Sequence, residues 1–187
     1  MDVGARVVLR RALLAVALCA CTATEARAPR VALPGTDGEP HAVVGAHVTV
    51  LVFFSEHCPC MRAHDPRLVA LANEYASRGV TFFAIDSEVG ATVASDAAQA
   101  RDRAYPFPIL VDHDARLARA VGAEYATYSV VLDDAGDVLY RGGFDGDHTH
   151  LSATATPYLR DALDDIVARR PVRRAQTEAL GCALRTW

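Results

Sequence analysis

Cys58 and Cys60 stand two residues apart with Pro59 between them, and Cys182 follows far downstream. A thiolate attacks disulfides and is also a soft metal ligand, so a pair this close is a redox couple, a metal-binding pair or a structural bridge. The structural bridge is the weakest of these, because so short a loop removes little freedom from the unfolded chain. A strained bridge is the labile, redox-active kind. His57 beside Cys58 can stabilise a thiolate when protonated. Pro59 fixes one φ between the two thiols and removes a donor. Cys58, Cys60 and Met61, with His148 and His150 further on and His57 and His64 nearby, also form a soft donor set suited to Cu(I).

The elements around this pair read clearly. Residues 48–54 are apolar, β-branched and aromatic with almost no polar residue, which predicts a strand buried on both faces. Leu68, Leu71, Ala72 and Tyr75 then recur at helical spacing, with Gly79 as the stop. Cys58 therefore sits where a central strand turns into a helix, the position at which α/β sheets build sites. A helix dipole contributes about 0.3 to 1 kcal/mol, less than the ~1.4 kcal/mol of one pKa unit. His57 or direct N–H hydrogen bonds must supply the remainder of any activation.

Further along, residues 80–86 predict a second buried strand, parallel to the first. A helix capped by Ser95 runs to residue 104, a short strand follows at 109–112, and a short helix ends at Gly122. Residues 128–133 and 138–144 flank an Asp-Ala-Gly turn and predict a hairpin. Thr156 is placed to cap a final helix that Pro171 stops, and a Pro/Gly-bearing lead-in at 28–45 has room for a small hairpin. Strands interleaved with helices and closed by an antiparallel hairpin predict an α/β sandwich with a mixed central sheet flanked by helices.

At 187 residues the chain has room for one domain, assigned to residues 29–175 with a tail at 176–187 that carries Cys182. Charged residues make up 22% and the net charge is −4 without a basic block, which argues against nucleic acid as a partner. Residues 1–28 read as a targeting segment, because Arg6, Arg10 and Arg11 precede an apolar run at 12–20 too short to span a bilayer. Leu18-Cys19-Ala20-Cys21 is similar to a bacterial lipoprotein signal, which implies export, lipidation of Cys21 and a membrane anchor facing the periplasm. The rival cut after Ala28 would leave a soluble periplasmic protein, but Pro29 directly after it argues against that site.

Phe53-Phe-Ser-Glu-His-Cys-Pro-Cys-Met-Arg62, Pro66, Arg78-Gly-Val80, Tyr105-Pro-Phe-Pro108, Leu132-Asp133, Tyr140-Arg-Gly-Gly143 and the tail from Gly181-Cys182 together carry a resemblance. The chain resembles the thioredoxin fold, and within it the redoxin branch of alkyl-hydroperoxide-reductase-like and peroxiredoxin-like proteins. The resemblance implies that Cys58 is the reactive cysteine. Met61 stands where thioredoxins carry their second cysteine, with Cys60 displaced by one residue. Ser55 matches the peroxiredoxin hydroxyl three residues before the cysteine. Leu51 replaces that family's proline, and Thr127 stands where thioredoxins have a cis-proline and peroxiredoxins an arginine. The implied activity is that of an exported thiol-disulfide oxidoreductase, an enzyme with Cys58 as nucleophile and Cys60 or Cys182 resolving. Its substrates would be protein or small-molecule disulfides or hydroperoxides, with a thiol reductant and no cofactor. A Cu(I)-binding module is the alternative from another class, and a thiol peroxidase a further one.

Overall fold

The computed structural model describes residues 27–186. In chain order these form strands β1 (Ala32–Pro34), β2 (Pro40–Ala42) and β3 (Val48–Phe54), helix α1 (Pro59–Ala76), strand β4 (Val80–Asp86), helix α2 (Val93–Asp102) and strand β5 (Ile109–Val111). After a 3-10 turn at His113–Ala115 come α3 (Arg116–Val121), β6 (Ser129–Asp133), β7 (Val138–Gly142) and α4 (Tyr158–Val167). The fold is the expected mixed α/β arrangement: one five-stranded sheet in the order β5-β4-β3-β6-β7, flanked by helices. Strands β3, β4 and β5 are parallel, and β6 and β7 run antiparallel beside them.

All seven residues of β3 are buried, as an unbroken apolar run in the middle of a sheet requires. Both sheet edges are covered, which blocks edge-to-edge pairing. The β1–β2 hairpin reaches the β5 edge, where the Thr36 N–H donates to Ile109 O and the Ile109 N–H donates to the Thr36 hydroxyl. On the other edge, the Arg141 N–H donates to Ala175 O and the Thr177 N–H donates to Arg141 O. Residues 176–177, placed in the tail by sequence, thus belong to the sheet's margin.

Two expected helix caps differ. The N-cap of α2 is Thr92, whose hydroxyl accepts from the Ser95 N–H while the Ser95 side chain accepts from the Thr92 N–H. Ser95 is the third helical residue of a capping box rather than the cap itself. Helix α4 begins after Pro157 with no side-chain cap, and Thr156 instead uses its backbone carbonyl to accept from the Gly146 and Tyr158 N–H groups.

The domain boundary at residue 29 also moves. Ala28 is 3% exposed and donates its N–H to Gly136 O, and Arg27 pairs with Asp137. These two residues belong to the fold. Cys19 and Cys21 lie outside the described residues.

A buried ion pair fixes the loop between β3 and α1. Asp65, on the inner face of α1, accepts from Arg103 at 3.0 and 3.2 Å and from the Tyr105 hydroxyl at 2.5 Å. Arg103 also donates to Glu56 O, two residues before Cys58, and its guanidinium lies over the Phe54 ring. Removing one partner leaves the other charge buried and uncompensated. Arg103→Leu is expected to lower unfolding stability by about 3 to 5 kcal/mol, measured by urea denaturation, with the double variant Arg103→Leu/Asp65→Leu recovering part of the loss.

Candidate active site

Cys58 is the N-cap of α1, with φ −84° and ψ 114°, and Pro59 occupies the first helical position. That geometry turns the first free amides of the helix toward the sulfur, and the Met61 N–H donates to Cys58 Sγ at 3.5 Å. Cys60 lies in the same first turn. Cys182 arrives from the tail, and the Sγ atoms of Cys58, Cys60 and Cys182 all lie within 4.8 Å of one another. All three thiols are free; Cys58 and Cys60 are buried and Cys182 is half-buried.

The tail is held by backbone pairing far across the sequence. The Ala126 N–H donates to Cys182 O and the Leu184 N–H to Glu124 O, each at 2.9 Å. The Val89 N–H donates to Arg185 O at 2.7 Å. Thr127, in the left-handed region at φ 72°, donates its hydroxyl to Leu180 O. Gly181 packs against the Ala126 carbonyl, where a Cβ would overlap the oxygen. Glycine is therefore required immediately before Cys182.

The three thiols are not equivalent. Burial works to raise Cys58, but hydrogen bonds from Cys182, the Met61 N–H and Cys60 outweigh it and bring Cys58 below its ordinary value. Burial raises Cys60, and the charge on Cys58 adds to the rise. Burial and the hydrogen bond given to Cys58 push Cys182 up to about 12. Cys58 is thus the most acidic of the three, the one its neighbours favour as a thiolate.

Other expected residues divide between the cluster and its surroundings. His148 comes in from the loop after β7, with Nε2 3.0 Å from Cys60 Sγ. His150 is exposed and bonds only to the neighbouring Thr149 hydroxyl. His57 points outward, 64% exposed, with Nε2 3.1 Å from a Glu56 carboxylate oxygen. The Cys58 sulfur therefore takes its hydrogen bonds from the helix backbone and the neighbouring thiols and not from His57. Ser55 donates its hydroxyl to Glu88 at 2.8 Å. Met61 meets Cys58 through its backbone, and its side chain is core.

Several residues of the site had no role in the sequence reading. Glu88, just past the end of β4, accepts from Ser55 and from the Arg185 backbone and side chain, so one carboxylate links the cysteine loop to the tail. Beneath it lie Asp86 and Asp96, both buried. Burial first, then the nearness of Asp96 and Glu88, pushes Asp86 up to about 8. Burial and the charges of Glu56 and Glu88 push Asp96 up to about 6. The position of Asp86 and Glu88 at a strand's carboxyl end was the signal that could have found them.

His64 is buried and its Nδ1 faces the Cys60 carbonyl at 2.7 Å, while Nε2 faces Asp145 at 2.9 Å. A carbonyl cannot donate, and Asp145 is held ionised: burial opposes this, but bonds from His64, the Asp147 N–H and Arg67 prevail. His64 therefore donates from both nitrogens as an imidazolium, and it ties α1 to the loop that carries His148. A cleft of about 400 Å³ walled by Arg67, Phe144, Asp145 and Arg160 borders this loop without reaching the sulfurs.

Residues 22–155 match the redoxin family, so Cys182 lies beyond the matched stretch. No curated protein matches the chain. An uncharacterized conserved protein from Geobacillus kaustophilus is similar at 30% identity and TM-score 0.77, over 86% of this chain and 90% of its own. Two more distant structures share the fold. A secreted Mycobacterium tuberculosis disulfide oxidoreductase homologous to E. coli DsbE has 21% identity and TM-score 0.50, over 58% and 80% of the two chains. The Xanthomonas campestris bacterioferritin comigratory protein, described by its alkyl peroxide reduction activity, has 16% identity and TM-score 0.53, over 74% and 88%.

The buried carboxyl pair gives a pH signature. Asp86 and Asp96 bind protons more tightly folded than unfolded, so the folded state holds more protons between their ordinary value of 3.8 and about 8. Their contribution is then complete below about pH 4 and lost as pH rises through 8. The temperature of thermal unfolding is expected to fall as pH rises through that window, and Asp86→Asn, which carries a permanent donor, should flatten the fall.

Proposed function

Because the chain belongs to the redoxin family, we propose that it is a thiol-disulfide oxidoreductase in which Cys58 is the nucleophile and Cys182 the resolving thiol. The observation that carries this reading is the convergence of the three sulfurs at the amino end of α1, with Cys58 the most acidic. The Cys58 thiolate attacks one sulfur of a substrate disulfide; a new S–S bond forms and the other sulfur leaves as a thiolate. Cys182 then gives up its proton and attacks the Cys58 sulfur, which releases the second substrate thiolate and leaves a Cys58–Cys182 disulfide. Two electrons pass to the substrate, and an external thiol reductant restores the enzyme. Run backward, the same steps oxidise a dithiol.

Cys182 suits the resolving role better than Cys60. A Cys58–Cys60 bridge must close across Pro59 between residues that do not share a helix face. Cys182 sits on a segment held by a few backbone bonds and is partly exposed. Cys58 is 1% exposed, so substrate reaches it when the tail lifts. Disulfides are favoured over hydroperoxides as substrates, because the Ser55 hydroxyl is engaged by Glu88 and Thr127 supplies no positive charge for peroxide oxygens. Export as a lipoprotein through Cys21, facing the periplasm, completes the reading. It is supported by the arginine-led apolar run, and by Ala28 being core, which disfavours a cut after that residue.

Exposure of reduced Cys182→Ser protein to an excess of a small aromatic disulfide should leave a mixed disulfide on Cys58, seen by mass spectrometry. Cys60→Ser should still turn over. The opposite pattern would transfer the resolving role to Cys60. Cys58→Ser should lose roughly 10³-fold or more of the disulfide-reducing rate, and undiminished turnover by that variant would remove the oxidoreductase reading.

A further inference from the structure

A disulfide couple uses two thiols, and this site holds three. Cys58, Cys60 and Cys182 bring their Sγ atoms within 4.8 Å of one another, so a single cation at their centre reaches all three at once. We propose that the reduced protein binds one Cu(I) ion through the thiolates of Cys58, Cys60 and Cys182. The inference does not rest on the redox reading, since it concerns the reduced thiols before any exchange.

The donor set selects the metal. Three thiolates are soft ligands, which favour Cu(I) over the harder divalent ions. Zinc in a closed site takes four ligands in a tetrahedron, and the sulfur cluster supplies three. His148 stands behind Cys60, its Nε2 3.0 Å from that sulfur, where it donates to the thiolate as an outer partner. The negative charge gathered by three thiolates is met by the amino end of α1, whose Met61 N–H already points at Cys58. The expected copper set changes accordingly. His150 is exposed and bonded to Thr149, Met61 offers its backbone, and the tail cysteine takes the third place.

Binding involves no change of oxidation state. Each coordinating thiol forms a Cu–S bond and any thiol still protonated releases its proton to solvent. Because Cys182 rides on the tail, the ion would tie residues 181–185 to the start of α1, and it would occupy the sulfur that attacks disulfides. The copper-loaded protein is therefore closed to exchange.

The test uses the full chain with Cys19→Ser and Cys21→Ser in every sample, reduced and kept anaerobic, in competition with a chromophoric Cu(I) chelator. One Cu(I) per chain is expected. Cys182→Ser, Cys58→Ser and Cys60→Ser should each weaken binding by about 100-fold or more, beyond the range seen for loss of an outer partner. His150→Ala and Met61→Leu should leave affinity unchanged. X-ray absorption on the otherwise unaltered protein should count three sulfur neighbours around copper, a readout that needs no thiol variant to fold. A Cys182→Ser affinity equal to that of the parent, two sulfurs in the copper shell, or displacement of Cu(I) by equimolar Zn(II) would each overturn the proposal.

Discussion

The burial of β3 on both faces is the constraint from which the site follows. Its seven residues are closed off by β4 on one side, β6 on the other and packed layers above and below. Each large apolar side chain fully buried there contributes about 1.5 to 3 kcal/mol, whereas the helix dipole at Cys58 contributes about 0.3 to 1. The apolar terms decide where the chain leaves the sheet, and the polar terms tune what happens at that point. Once β3 ends at Phe54 and α1 begins at Pro59, the residue directly before Pro59 meets free amides whatever its type. The sequence places a cysteine in that position.

The ionisable groups below the loop show the same division of labour. Four carboxyls, Glu56, Asp86, Glu88 and Asp96, gather near one strand end. Were all four ionised, their repulsion would oppose both the packing of α2 and any nearby thiolate. Burial relieves this by holding a proton on Asp86, pushed up to about 8, while Glu88 is offset by the Arg185 guanidinium and the Ser55 hydroxyl. The tail thus does more than deliver a thiol: through Arg185 it supplies the cation beside Glu88.

What was legible in the sequence was local. The apolar run of β3, the Cys-Pro turn and the hairpin between β6 and β7 each announce themselves within a dozen residues, and the order of elements then leaves few topologies. The caps of α2 and α4 were misplaced because Thr92 and Ser95 compete for one position, and because Pro157 already starts α4 without a side-chain donor or acceptor. The docking of the tail had no comparable signal. Ala126 and Cys182 meet through a backbone bond across more than fifty residues, and no periodicity records such a pairing. Gly181 is the single local trace of it, and only the carbonyl it faces explains why a side chain is excluded there. The same holds for His148, one of seven histidines, which composition cannot single out from His150.

The contact between Ala28 and Gly136 has a consequence for orientation. Gly136 lies in the turn that follows Asp133, and Asp133 is paired with Val48 at the start of β3, whereas the sulfurs lie past Phe54 at its far end. Seven strand residues separate these poles by about 20 Å. Whatever is joined to the chain ahead of Arg27 therefore enters at the base of the sheet, and the thiols crown the opposite end. A tether fixed there would grip the molecule by the end of the sheet farthest from its thiols.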